Sequence, residues 1–143
     1  MDPKIIYEDN DMLVVDKPAG VVVFNEVTNA TKDTKEIKET LVDVLLEKYP
    51  KLGGVGHPPR YGIVHRLDKD TSGILLVAKS NEALIFLQKQ FKNREVEKKY
   101  TALVTGSIKE DGGNIETLIG RSPYETKKQK FLLLDHSGKR KDK

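Results

Sequence analysis

The sequence predicts one soluble domain that mixes strands and helices around a strongly charged loop, and three observations carry that expectation. A chain of 143 residues, 37% hydrophobic and 33% charged, can bury a single modest core. There is no Cys, which excludes a disulfide framework, a thiol nucleophile and a thiolate metal site. Short β-prone runs alternate with two segments of helical spacing. None of the apolar runs, Met12 to Val15, Gly20 to Phe24 and Ile74 to Ala78, approaches the roughly 20 residues a membrane helix needs, so no membrane partner is expected.

Taken in order, Ile5 to Tyr7, Met12 to Val15 and Val21 to Phe24 are β-prone. They are separated by Glu8-Asp9-Asn10-Asp11 and by Lys17-Pro18-Ala19-Gly20, which reads as a small antiparallel meander. From Thr34 the period changes. Ile37, Leu41, Val44 and Leu45 fall at i, i+4, i+7 and i+8, and Asp33 with Glu36 can form a capping box, so the spacing predicts a helix over about 35–48. Pro50, Gly53, Gly54, Gly56, Pro58, Pro59 and Gly62 then break regular structure into a long loop.

Ile63-Val64 and Ile74 to Ala78 read as strands flanking a polar segment, residues 65–73. Ser80 or Asn81 can cap a helix with Leu84, Leu87 and Phe91 on one face. Lys98 to Ser107 alternates again, with Tyr100, Ala102 and Val104 on one side, and reads as another strand. Gly112-Gly113 makes a turn. Beyond Ile115 to Ile119 the chain becomes Lys-rich and ends in Ser-Gly-Lys-Arg-Lys-Asp-Lys, with no final element expected to pack.

Net charge is +3, but it is unevenly spread. Residues 1–59 carry 7 basic and 11 acidic groups, 60–100 carry 9 and 5, 101–126 carry 2 and 4, and 127–143 carry 7 and 2. Two basic stretches of this kind can hold a polyanion, although basic tails are more often simply solvated. Glu8, Asp9 and Asp11 follow the N-terminal Met1-Asp2-Pro3-Lys4, so there is no apolar stretch of a signal peptide and a cytoplasmic location is expected.

The segment His65-Arg66-Leu67-Asp68-Lys69-Asp70-Thr71-Ser72-Gly73 is the richest in chemistry. One reading is a plain turn, in which Asp68 and Asp70 accept backbone N–H bonds and Gly73 supplies a positive φ. Asp68, Asp70, Ser72 and Gly73 also match positions one, three, five and six of a calcium loop, but position twelve is Lys79 where a bidentate Glu belongs. A triad of Ser72, His65 and an Asp would need one short segment to converge on itself. Composition and periodicity therefore reach a mixed α/β domain with a charged loop, and no further.

Residues 61–79, Tyr-Gly-Ile-Val-His-Arg-Leu-Asp-Lys-Asp-Thr-Ser-Gly-Ile-Leu-Leu-Val-Ala-Lys, closely resemble the catalytic signature of the RluA family of RNA pseudouridine synthases. Residues 6–20, 98–104 and 119–124 resemble further family segments in the same order. The resemblance implies an α+β fold with a mostly antiparallel, mixed central sheet, flanking helices and loops. It also implies isomerisation of uridine in ribosomal or transfer RNA, with no cofactor: the N1–C1′ bond is cut, the uracil turns, and C5 is joined to C1′. Asp68 falls on the family's carboxylate, which attacks the nucleotide or stabilises the detached sugar, a role carboxylates fill in glycosidases. Arg66 falls on the Arg that enters the RNA stack vacated by a flipped base. Tyr100 falls on the Tyr that lies against the uracil and helps remove the C5 proton. His65 and Lys69 are expected beside them at the RNA surface, His65 positioning the loop through a ring N–H. Family members also carry a later segment like Gly-Arg-Thr-His-Gln-Ile-Arg whose basic residue faces the Asp. Nothing in 1–143 matches it, and no N-terminal S4 domain is visible, so a C-terminally truncated portion of one catalytic domain is expected.

Overall fold

A computed structural model describes residues 3–25, 39–114, 118–121 and 129–132. The chain divides into two compact units, 1–99 and 100–143. In the first, β1 (Lys4–Glu8) and β2 (Met12–Lys17) form an antiparallel hairpin. Its turn is closed by Asp9, whose Oδ1 accepts the N–H groups of Asp11 and Met12 at 2.8 Å each while Oδ2 accepts the Tyr7 hydroxyl at 2.9 Å. An Asp side chain that mimics a backbone turn in this way needs no glycine.

The other edge of β2 pairs antiparallel with β3 (Gly73–Ala78), in unbroken register from Met12 opposite Ala78 to Lys17 opposite Gly73. Because side chains alternate across a sheet, Leu13 and Val15 share a face with Leu75 and Val77, and all four are fully buried. This face joins one cluster with Leu41, Val42, Leu45, Leu52, Ile63, Leu67 and Leu84.

The run Val21 to Phe24 is not the third strand of a meander. It is irregular, and its Val22 and Val23 carbonyls accept the N–H groups of Leu41 and Val42 at 2.9 and 3.0 Å. Those donors open helix α1 (Leu41–Lys48) and have no partner inside it, so the run satisfies a helix end where the sequence suggests a ladder. The α1 helix starts later than its periodicity predicts because Thr40 caps it. Thr40 Oγ1 accepts the Asp43 N–H at 3.3 Å, and Asp43 Oδ2 accepts the Thr40 N–H at 2.8 Å. The cap expected from Asp33 and Glu36, and Ile37 with it, lie outside the described residues.

The expected loop after α1 begins with a short 3-10 helix, Pro50–Gly54, whose Leu52 is buried. Ile63-Val64 makes a single bridge, Ile63 to Val77, instead of a strand. Gly62 has φ +74°, accepts the Ala78 N–H at its carbonyl at 2.8 Å, and leaves no room for a Cβ, which would overlap the Ala78 oxygen. Helix α2 (Asn81–Lys92) follows, capped by Ser80 as its sequence predicts, with Oγ accepting the Ala83 N–H at 3.1 Å.

Residues 98–104 are irregular and exposed, so the expected strand at Lys98 to Ser107 is absent. Alternation makes a strand only where an edge is available to pair. A pair the sequence reading does not foresee is present instead: β4 (Leu118–Arg121) and β5 (Gln129–Leu132) run antiparallel, Leu118 opposite Leu132. Among the described residues the architecture is α+β, built from antiparallel sheets and two α-helices. Among the described residues no helix is long and apolar enough to cross a membrane.

Candidate active site

The register of β2 against β3 decides where the charged loop lies. With Lys17 opposite Gly73, the turn after β2 and the loop before β3 meet at one end of the sheet. Two hydrogen bonds join them, both to the Lys69 carbonyl, and two more hold the turn itself. Lys17 Nζ donates to the carbonyls of Pro18 at 3.0 Å, Val21 at 2.9 Å and Lys69 at 2.9 Å, and the Gly20 N–H also donates to the Lys69 carbonyl at 2.9 Å. Lys17 is fully buried, and three carbonyls meet the three protons of its ammonium. Burial pushes its pKa below the usual lysine value, opposed by the charges of Asp70 and Asp68. A fixed cation thus lies behind the loop that carries both carboxylates.

Leu67 is buried in the core, while its neighbours Arg66 and Asp68 are exposed. The Asp68 carbonyl accepts the Thr71 N–H at 3.1 Å, so Asp68 opens a tight turn through Lys69 and Asp70. One apolar anchor and one hydrogen-bonded turn present the Asp68 carboxylate to solvent. The side chain of Lys69 is also exposed, and its carbonyl is the double acceptor that ties the turn down.

His65 supports the loop from the other side. Its Nε2 accepts the Leu76 N–H at 3.2 Å, and its ring stacks on Phe91 with centroids 4.6 Å apart and planes 19° from parallel. The sequence reading has the ring donating; here it accepts, which places the proton of the neutral imidazole on Nδ1. Burial, and secondarily the charge of Lys98, hold its pKa below the usual histidine value. Arg66 projects over the Phe24 ring, its guanidinium carbon 5.5 Å from the centroid. His65, Arg66, Asp68 and Lys69 therefore belong to one braced segment. Tyr100 opens the second unit, with its side chain 65% exposed.

A family model described as RNA pseudouridylate synthase matches residues 11–142. The chain belongs to that family. It is 44% identical to an uncharacterized RNA pseudouridine synthase of Aquifex aeolicus over 87% of this chain and 37% of that protein. It is 42% identical to the uncharacterized RNA pseudouridine synthase YlyB of Bacillus subtilis over 97% and 43%. It is also 44% identical to ribosomal large subunit pseudouridine synthase D of Neisseria meningitidis over 94% and 33%. Among solved structures, human RNA pseudouridylate synthase domain containing 4 aligns over 64% of this chain and 30% of that one, with 26% identity and a TM-score of 0.44. The chain spans about two fifths of the length of the curated relatives it first matches.

Two residues of this site are missed by sequence reasoning. Lys17 reads as turn punctuation, yet strand alternation places it on the face of Leu13 and Val15, and a Lys in that phase must be buried and paired. Phe24 reads as a strand residue; no local signal shows that it carries two arginines, because that contact depends on the loop returning past it.

Proposed function

We propose that this chain is the Asp68-bearing part of an RNA pseudouridine synthase acting in the cytoplasm on uridines of ribosomal or transfer RNA. The observation that carries the reading is the braced turn: an accessible carboxylate on a loop whose Lys69 carbonyl is held by a buried ammonium, in the segment that bears the family signature. Asp68 supplies the carboxylate for attack at, or stabilisation of, the sugar carbon once the glycosidic bond opens. Arg66 fills the stack left by the flipped base, Lys69 and His65 lie beside it at the RNA surface, and Tyr100 meets the uracil. The reaction is a net isomerisation: the N1–C1′ bond breaks, the C5–C1′ bond forms, the C5 proton leaves to solvent, and N1 takes up a proton in its place. Release of tritium from C5-labelled uridine in RNA reports it directly. Asp68→Asn should abolish release while leaving folding and RNA affinity in place, and Asp70→Asn should be milder. Near-parental turnover by Asp68→Asn would refute the assignment. RNA affinity without any tritium release from the parent would favour a noncatalytic RNA-binding role for this portion.

A further inference from the structure

Arg66 shares the ring of Phe24 with a second arginine that neither the turn nor the signature explains. The Arg60 guanidinium carbon lies 5.2 Å from the same centroid. The ring itself does not move freely, being 8% exposed, part of the core cluster, and attached to a run whose carbonyls hold the first residues of α1. Arg60 is fixed from its own backbone as well. Its N–H donates to the His57 carbonyl at 2.9 Å and its carbonyl accepts the Ile63 N–H at 2.9 Å. The next residue, Tyr61, has φ +26°, a strained value for a bulky side chain that persists only where the surroundings impose it.

The arrangement brings two like charges within roughly one Debye length, about 10 Å at 0.1 M salt. Among the described residues Arg60 has no carboxylate partner. A guanidinium over an aromatic face keeps its N–H edge free, and that edge fits the paired oxygens of a phosphate. Resting on the functional reading above, we propose that Arg60 is a second RNA-contacting residue of this site. It is held beside Arg66 by the Phe24 platform and takes a backbone phosphate of the RNA segment that Arg66 enters. Phe24 is then a positioning residue.

The test is the salt dependence of binding of the full chain to an RNA hairpin with a uridine-containing loop. Each phosphate contact contributes about 0.7–0.9 to the slope of log K against log salt. Arg60→Ala should lower that slope by about one contact, roughly 0.7–0.9; a parental slope would overturn the proposal. Phe24→Leu keeps an apolar filler and removes the ring face. Combined with Arg60→Ala it should lose no more slope than Phe24→Leu alone, and additive losses would overturn the platform. Phe24→Tyr keeps the face and should hold the parental slope, and a Tyr variant as defective as the Leu one would overturn it too. The slope is read independently of turnover, so a parent that binds RNA without isomerising it counts against the enzymatic reading alone. A parent with no affinity for RNA overturns both.

Discussion

Replacing Lys17 by Met removes the one fully buried charge among the described residues at nearly constant side-chain length. The change deletes three hydrogen bonds, to Pro18, Val21 and Lys69. The Lys69 carbonyl keeps the Gly20 N–H, so the Pro18 and Val21 carbonyls lose the ammonium and have no replacement in Met. An orphaned buried acceptor costs about 1–3 kcal/mol, and removal of the ammonium returns part of this by abolishing its own desolvation penalty. The expected net loss is about 2 kcal/mol, a sizeable share of a small domain's stability. Chemical denaturation should show it as a lower midpoint. Hydrogen exchange should show faster opening at the amides of Gly20 and Thr71, which report the junction and the Asp68 turn. An unchanged midpoint with unchanged exchange at Gly20 would refute the argument that Lys17 braces the loop.

Gly62→Ala should cost at least about 2 kcal/mol, since it forces a side chain into a positive-φ position against the Ala78 oxygen; a Tm within a degree of the parent would contradict it. For His65, the folded pKa lies below the ordinary value while the unfolded chain titrates near about 6.5, so the unfolded state takes up protons first. Its contribution to stability is whole above that pH and is lost as pH falls toward the folded value. His65→Leu should therefore flatten the stability profile as pH falls below about 6.5, and an unchanged slope would show that another group is responsible. Arg66→Ala should weaken action on structured RNA more than on a single strand, because only a stack leaves a gap to fill; equal losses would reduce Arg66 to a plain phosphate contact.

The parts of this structure that are local are the parts the sequence shows. Leu41, Val44 and Leu45 announce α1, Ser80 announces the start of α2, and Ile74 to Ala78 forms β3 with its flanking turn chemistry intact. The misreadings share a cause. Val21 to Phe24 and Lys98 to Ser107 have the composition of strands, but pairing depends on which edge is free, and the edge of β2 goes to β3, a segment from much later in the chain. At the site, the signature residues are legible through resemblance alone. The brace beneath them needs the β2–β3 register before Lys17 can be seen to reach Lys69.

That reach has a consequence for how the molecule is assembled. Lys17 and Lys69 are 52 positions apart, so the hairpin of β1 and β2 can exist long before the segment that accepts the ammonium. Distant contacts of this kind are slow to form, because the intervening chain must first lose its freedom. Until β3 arrives, the strip of Leu13 and Val15 ends in a hydrated charge. That charge opposes burial against any partner that cannot supply carbonyls in the right place. A slip of one residue would send Lys17 to the other face, so the lysine selects the pairing that also creates the Asp68 turn. Lys17→Met should then refold with more than one set of β2 amide resonances, and a single set would show that the apolar residues choose the register unaided.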